Sequence, residues 1–219
     1  MKLKNLTVKY GKQVSLDNLS VEFTNNGKII GVLGENGAGK TTLINVILGR
    51  LNRFKGTRIV DESIAYMPDR FFLYENMRVK QAIKLFKQSF SDFDEARALK
   101  ILAHFKLDPN MKIHDGSKGN HEAIHLALIL SRNTDFYVLD EPLSSIDPIN
   151  RAAFIEAIKN YRRKDSTVLI VTHLLRDLGS MFDEIILMRN GHLILQDTKK
   201  NILNKYSSLE EAYFEEVGR

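Results

Sequence analysis

The sequence predicts an α/β protein: a mainly parallel sheet covered on both faces and interrupted by a helical insertion. Three observations predict it. Short, continuous apolar runs at residues 29–33, 136–139 and 167–171 alternate with stretches of helical spacing, the pattern of strands buried on both faces. A glycine-rich loop separates the first run from a helix at residues 41–48, which is how a βαβ unit begins. Between residues 72 and 134 the strand pattern gives way to helical spacing alone.

The elements follow in order. Leu3, Leu6, Val8 and Tyr10 alternate with polar residues, a half-buried strand broken by Gly11 and Lys12. A second strand over residues 14–23 stops at the turn-forming Thr24-Asn25-Asn26-Gly27. Residues 51–66 leave room for little more than one further strand. Helices are expected over residues 77–90, 96–105 and 123–131, with Asp92, Asp94 and Glu95 placing a cap and negative charge before the second. A helix over residues 152–161 and a hairpin around Asn190-Gly191 complete the chain. No internal repeat or linker is visible. The expected organisation is one domain, 1–219, in which 1–71 and 135–219 form the sheets and 72–134 a helical subdomain.

Composition narrows the class without naming an activity. Of 219 residues, 43% are hydrophobic and 27% charged, with 13 glycines, 4 prolines and no cysteine. Collagen-like, low-complexity and disulfide-scaffold readings fail on those counts, as do thiol catalysis and cysteine-bound zinc. The net charge of +5 suits nucleotides, nucleic acid or an anionic membrane equally. No apolar stretch approaches the roughly 18–20 residues of a membrane span, and the first residues lack the apolar centre of a signal peptide. An intracellular protein is expected, with any membrane role acting through a partner.

Three constellations carry chemistry. Gly34-Glu35-Asn36-Gly37-Ala38-Gly39-Lys40-Thr41 fits G-x-x-x-x-G-K-[ST] at every specified position. The glycines let successive N–H groups converge on phosphate oxygens, and the helix that follows adds its positive end. Lys40 is placed to neutralise the β/γ-phosphates and the Thr41 hydroxyl to ligate Mg²⁺. Asp140-Glu141 ends an apolar strand, at the sheet edge where α/β proteins bind ligands. There Asp140 would hold Mg²⁺ and Glu141 would orient or deprotonate an attacking water. His173 ends the next strand at the same edge, within reach of a γ-phosphate.

With these residues the chain resembles the nucleotide-binding subunits of ABC transporters, over nearly its whole length and in family order. The resemblance implies a P-loop NTPase (RecA-like) core with a small antiparallel β subdomain and an inserted helical subdomain. Tyr10 resembles the aromatic that stacks on adenine. Residues 34–42 resemble Walker A, which assigns Gly34, Asn36, Gly37, Ala38, Gly39, Lys40, Thr41 and Thr42 to ATP. Residues 136–141 resemble Walker B with its catalytic Glu141, Ser144-Ser145-Ile146-Asp147 the D-loop, and His173 the switch histidine. The cofactors implied are ATP and Mg²⁺. The partners implied are a second ATPase subunit, identical or not, in a head-to-tail dimer, and a separately encoded transmembrane permease. The subunit would lie on the cytoplasmic face of the membrane, and nucleic acid is not an expected partner.

Two departures stand out. The signature L-S-G-G-Q aligns with Gly116-Ser117-Lys118-Gly119-Asn120, so only Ser117 and Gly119 match. A serine and a glycine at a helix start can still donate to the phosphate of a facing ATP. Asp69 stands in the Q-loop glutamine position, a shorter, charged side chain on the Mg²⁺ side. The Ser-Lys-Gly signature and the end Ser208–Phe214 resemble the drug-, antibiotic- and peptide-exporter branch. Phe71, Phe72 and Leu73 are candidate anchors for the membrane partner.

Three rival readings compete. His121-Glu122-Ala123-Ile124-His125 satisfies the zinc-helix pattern H-E-x-x-H, yet lies where the signature helix is expected. A soluble ABC-type ATPase acting on ribosomes or nucleic acid would usually carry two ATPase halves or long coiled-coil insertions, which this chain lacks. A P-loop kinase or GTPase would leave the D-loop and switch histidine surplus, and no Asn-Lys-x-Asp guanine motif is present.

Overall fold

In the computed structural model, which describes residues 1–74 and 76–218, every predicted element forms. The chain opens with β1 (Lys2–Tyr10), β2 (Gln13–Glu22) and β3 (Ile29–Leu33), then α1 (Lys40–Ile47), β4 (Lys55–Ile59) and β5 (Ile64–Met67). The insertion supplies α2 (Val79–Ser89), α3 (Glu95–His104) and α4 (Lys118–Leu130). Next come β6 (Phe136–Asp140), α5 (Pro148–Tyr161), β7 (Thr167–Thr172) and the short α6 (Leu175–Leu178). The hairpin β8 (Glu184–Arg189) and β9 (His192–Thr198) leads into α7 (Lys199–Lys205) and α8 (Leu209–Val217). Among the described residues no helix is long and apolar enough to cross a membrane.

Two sheets result. A small antiparallel one has the order β2-β1-β4, and a six-stranded one has the order β5-β6-β7-β3-β8-β9. All neighbours in the larger sheet are parallel except β8 and β9. Where little more than one strand was expected, residues 51–67 hold two short ones, because β4 joins the antiparallel sheet and β5 the parallel one.

The continuous apolar runs are explained by burial on both faces. Ile30, Val32, Phe136, Val138, Leu169 and Val171 point to one face, against α1 and the antiparallel sheet. Ile29, Leu33, Tyr137, Leu139, Val168 and Ile170 point to the other, against α4, α5, α7 and α8. A sheet with two wet-side residues at every second position would have read as alternation instead.

Two helices start earlier than their apolar spacing predicts. α4 begins at Lys118 rather than near residue 123, because Ser117 caps it, accepting a hydrogen bond from the Asn120 N–H at 3.2 Å. α5 begins at Pro148, where the Asp147 carboxylate accepts from the N–H groups of Ile149 and Asn150 and proline fills the first turn. The first turn of α4 is polar and that of α5 holds Pro148 and the exposed Ile149, so hydrophobic periodicity misses both. Both are also places where the sequence reading expects functional residues.

Candidate functional site

The phosphate loop joins β3 to α1 at the carboxyl edge of the parallel sheet. Its shape needs glycine at two points. Gly37 and Gly39 have φ of +86° and +100°, a region L side chains rarely adopt. Gly39 is also crowded: a Cβ there would lie 2.6 Å from the Ser15 carbonyl oxygen and 3.4 Å from Gly191. Gly191, in the β8–β9 turn, would carry a Cβ 2.7 Å from the same oxygen. Its N–H donates to the Ala38 carbonyl at 3.0 Å, and its own carbonyl accepts from the Asp17 N–H at 3.0 Å. Two segments distant in sequence, one around Ser15 and one at Gly191, thus close on the loop, chiefly through backbone.

Lys40 is buried, and its ammonium donates to the Gly34 carbonyl at 2.6 Å and the Glu35 carbonyl at 3.0 Å. Burial pulls its pKa below the ordinary lysine range, while Glu141 and Asp140 push it back up. Thr42 is buried beside it and shares a 2.7 Å hydrogen bond with Ser15. These residues open onto a cavity of about 360 Å³, whose walls also include Asn36, Gly37, Gly39, Thr41, Asp69, Asp140 and Glu141. The structure thus brings the phosphate loop, the paired acids of β6 and the Q-position aspartate to one cavity. Gly34 and Ala38 form the loop's own frame.

The acids differ in environment. Asp140 is buried; desolvation, then the nearby Asp69 charge, lifts its carboxyl to about 6 against the opposing Tyr66 hydrogen bond and Lys40 charge. Tyr66 donates to Asp140 Oδ2 at 3.3 Å and has its own hydroxyl pushed up to about 12, chiefly by burial. Arg50 covers the Tyr66 ring at 4.5 Å. Glu141 holds a left-handed backbone, φ +48°, uncommon for a residue with a side chain. Both its oxygens are engaged: the Thr172 hydroxyl donates to Oε2 at 3.0 Å, and His173 Nδ1 lies 2.9 Å from Oε1. The last residue of β7 and the one after it therefore present consecutive side chains to the acid that follows β6.

Other predicted residues lie apart. Ser117 and Gly119 line a separate cavity of about 300 Å³, together with Ser145, Asp147 and Asn150. Tyr10 ends β1 and is half exposed, outside the walls of the phosphate cavity. Leu73 is buried in the core and Phe71 is half-buried, whereas Phe72 and Tyr74 are exposed; Glu75 lies outside the described residues. His121 and His125 do not face an open metal site: Nε2 of the first meets the Ile113 carbonyl at 2.8 Å, and Nε2 of the second accepts from the Phe72 N–H at 3.4 Å.

Gln13, Ser15 and Tyr66 are cavity residues the sequence reading did not select. Tyr66 has a signal in retrospect, standing three residues before Asp69 on a strand that pairs with β6 in register, Tyr66 opposite Val138. Gln13 and Ser15 have none, because they arrive from the antiparallel sheet.

Residues 16–144 match the family described as ABC transporter. The uncharacterised ABC transporter ATP-binding protein MJ1023 of Methanocaldococcus jannaschii is 28% identical over 218 residues, covering 96% of this chain and 82% of its own length. The lipopolysaccharide export system ATP-binding protein LptB of Escherichia coli K12 is 28% identical over 221 residues, covering 91% of each chain. A solved structure of the ATP-binding subunit of an ABC transporter shares the fold, with a TM-score of 0.82, 24% identity and 98% of each chain covered. A family match over more than half the chain means that the chain belongs to the ABC transporter family as an ATP-binding, ATP-hydrolysing subunit.

Proposed function

We propose that the chain powers export of a substrate through a separately encoded transmembrane partner, working as a head-to-tail dimer on the cytoplasmic face of the membrane. The observation that carries the catalytic part is the Glu141 carboxylate, held on both oxygens by Thr172 and His173 at the phosphate cavity. In this reading Glu141 is the general base that takes a proton from the attacking water. His173 orients it through Nδ1, which leaves Nε2 for a phosphate oxygen. Lys40 exchanges its two loop carbonyls for the β/γ-phosphates, and the N–H groups of residues 34–42 surround them. Tyr10 stacks on adenine.

The donors around the cavity fit Mg²⁺, a hard cation that prefers oxygen: the Thr41 hydroxyl and the carboxylates of Asp140 and Asp69. Among the described residues no three acids or histidines gather into a metal cage, which suits an ion taking most of its ligands from phosphate and water. Bound there, the ion would neutralise charge that develops on the phosphates. It would also relieve the burial that holds Asp140 near 6.

Ser117 and Gly119 open onto a different cavity from the phosphate loop, so the ATP they serve belongs to the facing copy. The division into sheets (1–71 and 135–219) and helical subdomain (72–134) gives that copy two lobes to grip. Export is supported by the Ser-Lys-Gly signature, by the Ser208–Phe214 helix, and by the likeness to LptB, which serves an export system. Exposed Phe72 and Tyr74 are the docking residues this reading selects for the membrane partner.

Glu141→Gln tests the core of the proposal. Nucleotide affinity is expected to hold while hydrolysis falls at least about 100-fold and a dimer accumulates with ATP in size-exclusion chromatography. An unchanged hydrolysis rate would remove Glu141 as the base. Detergent pull-down from native membranes tests the partner; ribosomes or nucleic acid in place of a membrane protein would overturn the transport reading.

A further inference from the structure

One wall of the phosphate cavity comes from β2, a strand of the other sheet. Gln13 and Ser15, two residues apart on that strand, both line the cavity, while Val14 between them is exposed and forms no part of the wall. Ser15 does more than line it. Its Oγ lies 2.7 Å from the Thr42 Oγ1, and either oxygen can be the donor. That bond ties the antiparallel sheet to the first turn of α1, side chain to side chain.

Both partners are held by other contacts. The Ser15 carbonyl is wedged between two glycines, and a Cβ on Gly39 or Gly191 would come within 2.7 Å of it. Leu16 is fully buried, and the Asp17 N–H donates to the Gly191 carbonyl at 3.0 Å. Thr42 is fixed by its helix. A helical threonine often turns its hydroxyl back to the carbonyl four residues earlier. Here that carbonyl belongs to Ala38 and accepts the Gly191 N–H at 3.0 Å, and the Thr42 hydroxyl pairs with Ser15 instead. An alanine at position 15 would meet the same backbone constraints. What the serine adds is the bond to Thr42.

The bond has two proton arrangements. If Thr42 donates, its only hydroxyl proton is spent on Ser15. If Ser15 donates, the Thr42 proton is free to meet an acceptor in the cavity. A phosphate oxygen is such an acceptor, and it selects the second arrangement. We propose that Ser15 is a positioning residue for ATP: its hydroxyl donates to Thr42 and so aims the Thr42 O–H at a phosphate oxygen. The proposal rests on the reading above, in which Thr42 serves ATP. Because Ser15 is held through its backbone before any nucleotide arrives, the aim needs no rearrangement on binding. The contact is the same in the bound and the reacting nucleotide, so Ser15 acts on affinity and not on turnover.

Variants of the full chain separate this role from a structural one. The readout is the Kd of the Mg²⁺ complex of adenylyl imidodiphosphate, an ATP analogue that is not turned over, measured by isothermal titration calorimetry. Ser15→Ala is expected to raise this Kd about fivefold, the worth of one ordinary hydrogen bond, and to raise KM for ATP as far with kcat within twofold. Ser15→Thr keeps a hydroxyl and should return Kd to within twofold of wild type. Thr42→Val removes the receiving hydroxyl and should weaken binding at least as much. Adding Ser15→Ala to Thr42→Val should then change Kd by less than twofold.

Urea unfolding of the nucleotide-free chain is followed for each variant. A Ser15→Ala chain that loses stability but keeps the wild-type Kd would make the bond a tie between sheet and helix only, and would overturn the proposal. So would an equal rise in Kd from Ser15→Ala with and without the Thr42 hydroxyl, because Ser15 would then not act through Thr42. A Thr42→Val chain with wild-type affinity would instead remove Thr42 from the ATP site, and the role of Ser15 would fall with that reading.

Discussion

Glu122 stands between His121 and His125 in the sequence of α4, and its carboxyl is pushed up to about 7, first by burial and then by the Asp69 charge. Its folded pKa thus exceeds the ordinary 4.5. The folded state binds the proton more tightly than the unfolded one, so this group lowers stability as pH rises from 4.5 towards 7. Glu122→Gln removes that loss. In urea denaturation the variant is expected to match wild type near pH 4.5 and exceed it by about 1–2 kcal/mol at pH 8, a figure discounted for partial solvent screening. Equal gains at both pH values would mean that the carboxylate is already relieved by solvent. The residue scale also shows what sequence cannot carry. That Glu141 is an acid after a strand was legible; that its backbone is left-handed and both its oxygens held by Thr172 and His173 was not, because those partners arrive 31 and 32 residues later.

At the scale of elements, legibility followed the source of order. The buried strands announced themselves by continuous apolar runs, since each faces two cores. Helix starts at Ser117 and Asp147 did not, because capping polar residues carry no apolar period. α3 is the contrasting case, where Asp94 was read as part of a cap and accepts the Arg97 N–H at 2.9 Å. Asp94→Ala is expected to cost about 1 kcal/mol in chemical denaturation while leaving ATP turnover within twofold. A larger loss of turnover than of stability would mean that α3 contributes to the site directly. The H-E-x-x-H pattern shows the opposite error open to a motif reader. Its spacing puts two histidines on one helix face, and it takes the neighbouring segment to reveal that rings occupy that face.

Over the whole molecule, the parallel sheet divides two hydrophobic cores, and the phosphate loop lies where the antiparallel sheet, α1 and the last hairpin converge on its edge. A ligand bound there binds only the folded chain and stabilises all three at once. Saturating ATP with Mg²⁺, at about 100 times its Kd, is expected to add about 2.7 kcal/mol to the unfolding free energy. Lys40→Ala should lose that increment, as measured by thermal shift with and without nucleotide. A full ATP-dependent shift in the variant would contradict the phosphate loop assignment. The net charge of +5, ambiguous in the sequence, gains one local meaning here, because Lys40 is a cation buried at the cavity.

The Asn190-Gly191 turn joins neighbouring antiparallel strands with both residues in left-handed conformation, φ +50° and +82°. Tight surface turns of this kind are ordinarily the safest places to cut, permute or lengthen a protein. Here the turn's backbone is hydrogen-bonded to Ala38 and Asp17, and it touches the walls of Gly39. New termini or an inserted tag at that hairpin would loosen the loop that grips phosphate, from a point about 150 residues away in sequence. For anyone building a sensor or a split version of this chain, the most inviting seam is the one that disarms it.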